Sequence, residues 1–188
     1  MPNEYLTKDG TQLLFADHAT DFGAAPATAA NSLIIGTPTD VQLDLTGVAA
    51  TGGARASTKS GDLGSVKAPA YSVNACLEFE TAPADGGSVD FYWALSPSVA
   101  AATGNPGGVT GTDAAFTDTA GNLGQMQPVG SLSLVNNVIN IGYVGTFVPR
   151  FRYGSLVVVN NGSTALRSTA TAMDETHIVM TPIIPELQ

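Results

Sequence analysis

Residues 119–149 of this chain contain no Asp, Glu, Lys or Arg, and the wider stretch 91–149 contains only Asp113 and Asp118. The stretch does not read as a membrane span. Gly, Asn, Gln, Pro, Ser and Thr interrupt each apolar run well short of the roughly 18 consecutive apolar residues that a spanning helix needs. A soluble domain ordinarily keeps charge on its strand faces. A neutral stretch of this size therefore predicts strands that are covered by a second sheet, by neighbouring copies of the chain, or by both. It speaks of architecture and assembly and names no chemistry.

The remaining composition narrows the class. At 188 residues the chain is long enough for one domain with a true core. Charged residues make up 12%, about half the usual ~25%. With 44% hydrophobic residues, the balance of low charge and high hydrophobicity is opposite to that of disordered chains. The net charge is −9, and Arg55, Lys59 and Lys67 are interleaved with Asp62, so no basic patch is available to neutralise phosphate. Nucleic acid is not an expected partner, because that binding needs clustered Lys and Arg. Cys76 is the single cysteine, which excludes an intrachain disulfide and a thiolate metal cluster. Met1-Pro2-Asn3-Glu4-Tyr5 lacks the basic and apolar regions of a secretory signal. Synthesis in a cytoplasm is the expectation; a role outside a cell would require release by lysis.

Residues 1–30 differ from the rest. After the apolar patch Leu13-Leu14-Phe15, the run Ala24-Ala25-Pro26-Ala27-Thr28-Ala29-Ala30 has no amphipathic period and a central proline. An extended N-terminal arm is expected over 1–30, followed by a domain over 31–188. From Ser32 the reading is β throughout. Short strands are expected at 32–35 and 41–45, with a loop at 51–54. Tyr71, Val73, Ala75, Leu77 and Phe79 alternate with polar residues, as do Val89, Phe91, Trp93 and Leu95. With Ala84-Asp85-Gly86-Gly87 between them, the two runs read as an antiparallel hairpin. A long loop follows over 96–125. Strands are then expected at 129–135 and 138–147 around an Asn136-Asn137 turn, at 155–159 and at 177–181. The fold predicted is all-β: an antiparallel β-sandwich, a jelly roll of about eight strands.

The chemistry-bearing residues do not converge. Asp17, His18 and Asp21 lack a second histidine at ligand spacing, so a polar turn is preferred to a metal site. His177 follows Glu175 in a strand, but no nucleophile elbow accompanies it, and it reads as a solvent-facing or interface residue. Cys76 shares its strand with Glu78 and Glu80, which disfavours a thiolate. Those two carboxylates read as a solvated face, not a glycosidase pair. Phe91 and Trp93 read as core, and Tyr92, pointing the other way, as a contact candidate. Asn161-Gly162-Ser163 reads as a surface turn. Arg150 and Arg152 flank Phe151 just after the uncharged stretch, and serve either as an anchor for a neighbour or as a guard against strand pairing. No catalytic residue, metal or cofactor is expected. The interface candidates are Tyr5, Leu13, Leu14, Phe15, Tyr92, Arg150, Phe151 and Arg152.

Several segments carry a resemblance: 89–98 (Val-Asp-Phe-Tyr-Trp-Ala-Leu-Ser-Pro-Ser), Asn105-Pro106-Gly107-Gly108-Val109, the run 142–148 leading into 153–159, and the ending 178–184. Over roughly 70–188 the chain resembles structural proteins of tailed bacteriophages, and among them the jelly-roll capsid decoration, or cement, proteins. The resemblance implies a non-enzymatic virion protein on the capsid surface, made in the host bacterial cytoplasm. The implied partners are the major capsid protein and further copies of itself, a trimer being favoured; neither nucleic acid nor membrane is implied. On that reading Tyr5, Leu13, Leu14 and Phe15 of the arm would fasten each protomer. The alternative is a tail or fibre component of the adsorption apparatus, with glycan contacts at a receptor-binding tip, which needs exposed aromatics in the 96–125 loop. A β-sandwich depolymerase is the third class, and it needs a convergent acid–base pair.

Overall fold

A computed structural model describes residues 5–17, 30–57, 63, 67–99, 103–118, 121–168 and 175–187. The described chain is all-β. Its strands are β1 (Tyr5–Asp9), β2 (Leu13–Ala16), β3 (Thr39–Gln42), β4 (Gly53–Ala56), β5 (Ala70–Glu78) and β6 (Ser88–Ser96). They continue with β7 (Ala114–Phe116), β8 (Gln127–Ser133), β9 (Ile139–Phe147), β10 (Tyr153–Asn160) and β11 (His177–Leu187). One sheet has the order β3-β2-β11-β5-β9, with β1 also on β11; the other has the order β7-β4-β10-β6-β8.

The strand order is that of a jelly roll. Ile183 of β11 pairs with Ala70 on one side and Asp9 on the other, while Met180 pairs with Val73 and Leu13. Strands β1 and β2 therefore run in succession along one edge of β11 as a single interrupted lane. With β3 and β7 set aside as edge additions, four lanes remain in each sheet: β2-β11-β5-β9 facing β4-β10-β6-β8. Along the chain, each step between these lanes crosses from one sheet to the other, except β6 to β8, which are neighbours. The pairing within the eight lanes is antiparallel, and β3 alone adds in parallel, Leu13↔Thr39 through Ala16↔Gln42.

The expected hairpin is corrected. β5 and β6 do not pair: β5 lies between β9 and β11, and β6 between β8 and β10. Likewise β8 and β9, on either side of Asn136-Asn137, belong to different sheets. Period-2 alternation reports only that one face is buried, and both members of each pair bury that face in the same core from opposite sides. Asp85-Gly86 still makes a turn, with Gly86 at φ 85, a conformation cheap only for glycine; the turn joins sheets.

The core between the sheets is built from Phe15, Leu43, Tyr71, Val73, Leu77, Phe79, Val89, Phe91, Trp93, Phe147, Leu156, Ile178 and others, all buried. The Phe147 ring lies 5.7 Å from Trp93 and 5.8 Å from Tyr71 between centroids. Trp93 occupies the space that a side chain at position 154 would need. A Cβ on Gly154 would lie 2.7 Å from Trp93 Cζ2, so the indole and the bare backbone of β10 are a matched pair.

The expected N-terminal arm is also corrected where the structure describes it. Residues 5–9 and 13–16 are lanes of the sandwich, and Leu13, Leu14 and Phe15 are buried at 8%, 3% and 0% exposure. Residues 18–29, including most of the Ala-rich run, lie outside the described residues. The Leu-Leu-Phe patch is apolar because both faces of β2 are covered, which reads at sequence level like an isolated anchor. Segment 32–35 is not a strand, and the segment expected as a loop ends in β4.

Candidate interaction surface

The outer faces of both sheets carry apolar side chains, and the chain covers much of them itself. On the β4-β10-β6 sheet, Tyr92, Ala94, Val157, Val159 and Ala56 face outward beneath Val109, Phe116, Leu123 and Met126 of the 103–126 excursion. β10 is consequently buried at every position from 154 to 160, which explains its unbroken Val run. The excursion is fastened by charge. Arg55 Nε donates to Asp113 Oδ1 at 2.8 Å and its Nη2 lies 3.4 Å from Asp44 Oδ2, while Asp44 N donates to Asp113 Oδ2 at 2.9 Å. The hydrogen bond to Asp113 holds the Arg55 pKa above its ordinary value, against the opposing effect of burial.

On the β2-β11 sheet, Leu14, Ala16 and Val179 face outward beneath Leu33 and Ile34. Segment 31–35 lies across the strands as a strap. Leu33 N donates to His177 Nε2 at 3.0 Å, Gln12 Nε2 donates to Leu33 O at 3.3 Å, and Ile35 N donates to Gln12 Oε1 at 2.7 Å. Asn31 Nδ2 donates to Glu175 Oε2. His177 is 0% exposed, which removes the solvent-facing one of its two expected readings, and its Nδ1 lies 2.6 Å from Glu175 O. Burial pulls its pKa down, opposed by the Glu175 backbone bond and carboxylate. Both ring nitrogens are thus committed in the neutral tautomer that donates from Nδ1.

Sheet β2-β11-β5-β9 ends at β9, and the facing sheet ends at β8, so the uncharged stretch forms one complete side of the sandwich. Here the two sheets close on each other. A Cβ on Gly145 would lie 2.5 Å from Val129 O, and one on Gly130 would lie 2.8 Å from Val144 C. Inward residues Val129, Leu132, Val144 and Phe147 are buried. The outward residues of this side are exposed and uncharged: Pro128, Ser131 and Ser133 on β8, and Ile141, Tyr143 and Thr146 on β9. Ile141 is 48% and Tyr143 59% exposed, and Val135, Val138 and Val148 continue the stripe beyond the strand ends. From position 138 to 148 it extends roughly 33 Å at ~3.3 Å per residue. Among the described residues, no strand pairs with the far edge of β9.

The sequence candidates divide accordingly. Tyr5 pairs through its backbone with Leu187. Leu13 and Phe15 are interior to the sandwich, and Leu14 lies under the strap. Tyr92 does point outward but is packed under the excursion, where burial and the carboxylates of Asp90 and Asp118 raise its pKa. Arg150, Phe151 and Arg152 remain at the surface, in the turn after β9; Phe151 is 41% exposed, and the Arg152 guanidinium lies 5.3 Å from the Tyr153 ring centroid. Gln127 Nε2 ties this turn to β8 through Val148 O at 2.6 Å. Sequence reasoning missed Ile141, Tyr143 and Val148. The signal was present in the alternation of β9, whose second, outward set is also apolar.

The carboxylates first paired on sequence do not form a reactive couple. Glu78 is buried at 7% and bonds to Arg167, whereas Glu80 is exposed and accepts from Ser168 N at 2.5 Å. Asp17 is buried and accepts from Gln42 Nε2 at 2.6 Å; His18 and Asp21 lie outside the described residues. A cleft of about 450 Å³ is lined by Leu13, Leu63, Ala68, Tyr71, Pro182 and Ile184, with Lys67 the only charged residue of its described lining. The Lys67 ammonium donates to Pro149 O at 2.8 Å. Comparison with protein-family models, with curated proteins and with solved structures gives no match for this chain.

Proposed function

We propose that this protein is a non-enzymatic structural component of a tailed-phage virion, binding the outside of the capsid and stabilising contacts between major capsid protein subunits. The observation that carries the reading is the uncharged side formed by β8 and β9 on a chain of net charge −9. Exposed Ser, Thr, Gln and backbone groups interspersed with Ile141, Tyr143 and Val148 can be buried against protein at little desolvation cost; the charge that adjoins them is the Asp90 carboxylate, which accepts from Ser131 Oγ at 2.6 Å. The jelly-roll strand order and the resemblance over 70–188 point the same way. The tail-tip reading required exposed aromatics in the 96–125 excursion. Phe116, the aromatic residue it contains, is 5% exposed, so no specific observation favours that alternative.

The test is to determine the copy number and position of the chain in purified particles by electron cryomicroscopy with icosahedral averaging. The expected result is density repeating over the capsid surface, in contact with the major capsid protein. A few copies at the tail, or none in the particle, would overturn the proposal.

A further inference from the structure

The uncharged side raises the question of what it is built to meet. A partner of opposite charge would be recognised best through the acidic surface that this chain displays elsewhere. A second copy carries the same −9 charge, and like-charged surfaces repel on approach. Two copies can approach most closely where charge is sparsest, and that place is the β9 edge, the Asp90 carboxylate lying beside β8 on Ser131 Oγ at 2.6 Å. The strand itself supplies the means. An edge strand presents unpaired backbone N–H and C=O groups that template another strand. Natural edges are usually blunted by lysine, inward charge, proline or a covering loop. β9 has a bulge at Val144, where its backbone closes on Val129 and Gly130 of β8, but among the described residues the half Ile139–Tyr143 carries no lysine, inward charge or proline and no strand pairs with its far edge.

The flanking charges select an orientation. At the end of the sandwich where β9 begins, Asp85 accepts from Asn136 N at 2.6 Å. At the opposite end, where β9 finishes, stand the exposed Arg150 and the half-buried Arg152. Laying a second β9 antiparallel brings the acidic end of each copy beside the basic end of the other, twice, by symmetry. A parallel arrangement would place arginine beside arginine. Antiparallel pairing of identical edges is also the isologous contact of a two-fold dimer, the commonest closed symmetry.

We infer that β9 pairs antiparallel with β9 of a second copy, joining two sheets into one and placing Ile141 and Tyr143 of both copies on a shared outer strip. The contact is independent of the proposed function, which concerns the major capsid protein; edge-to-edge pairing leaves the outer strip of Ile141 and Tyr143 facing away from the sandwich. It predicts a two-fold unit in place of the three-fold one implied by the resemblance.

The experiment is sedimentation equilibrium on the purified full chain, across about 1–100 μM. The wild type is expected to be a dimer within this range. I141K and Y143K replace side chains that are already exposed, so the fold should persist, as circular dichroism and thermal melts would verify. Each is expected to weaken the dimer at least ~10-fold by placing two like charges at the seam. R150E should weaken it as well, and R150E combined with D85R should restore it, an outcome that simple loss of apolar area would not produce. A wild-type monomer at 100 μM, a trimer, or a dimer indifferent to I141K and Y143K would overturn the inference. None of these results bears on where the chain resides in a particle. A monomeric chain found on capsids refutes the edge contact alone, and a dimeric chain absent from particles refutes the virion reading alone.

Discussion

His177 offers a prediction that can be worked through to a number. In the folded chain its Nε2 accepts from Leu33 N at 3.0 Å and its Nδ1 lies 2.6 Å from Glu175 O, leaving no acceptor for a second proton on Nε2. Protonation would set two donors against each other inside a site that is 0% exposed, and burial accordingly depresses the folded pKa below its ordinary 6.5. The direction of the pH effect follows. Between the folded pKa and about 6.5, the unfolded chain binds a proton that the folded chain does not, so stability is complete above about 6.5 and falls as pH drops below it. One such group gives a slope of at most ~1.4 kcal/mol per pH unit. The Glu80 pKa is lowered from 4.5 by its bonds to Ser168 and by Arg167, so loss of its contribution belongs to more acid solution. The assay is urea unfolding at fixed protein concentration from about pH 8 to about pH 5, for wild type and H177Q. H177Q should flatten the slope. If H177Q keeps the wild-type slope, the strap is not held by a neutral imidazole and the reasoning fails.

Three further outcomes are expected. G154A should cost about 1–3 kcal/mol through overpacking, because the new Cβ meets the indole of Trp93; a thermal midpoint and tryptophan emission equal to wild type would contradict the packing described. D113A should cost about 1–3 kcal/mol by removing the acceptor of both Arg55 Nε and Asp44 N, and limited proteolysis should then cut within 103–118 first. F116A should cost about 3–5 kcal/mol and raise binding of an apolar fluorescent dye, because Phe116 covers the outward Val157 and Val159 together with Ala56 and Ala94. Unchanged dye binding with unchanged stability would mean that the excursion does not seal that face.

Much of the architecture was legible before any coordinates. Alternation in 71–79 and 89–95 marked two central strands and their inward faces, and Phe91 and Trp93 as core. What alternation could not report was the partner of each strand. A turn such as Asp85-Gly86 reverses the chain in the same number of residues whether it joins neighbours in one sheet or spans two. Burial likewise could not be apportioned. Leu13-Leu14-Phe15 looked like a free anchor because covering by 31–35 on one side and by the opposite sheet on the other leaves no polar face to betray a strand. His177 looked exposed for the converse reason. Its strand periodicity assigns it to an outer face, and only the strap, distant in sequence, removes that face from water.

Local sequence thus determined the class of this protein: the all-β content, the strand periods, the acidic balance and the uncharged stretch all follow from residue types and their spacing. Tertiary structure alone decided that the uncharged stretch makes one whole side of the sandwich, and that Ile141 and Tyr143 share its surface while Leu13, Phe15 and Tyr92 do not. The physical reason is that a side chain's periodicity is set by its own backbone, whereas its exposure is set by whatever distant segment packs against it.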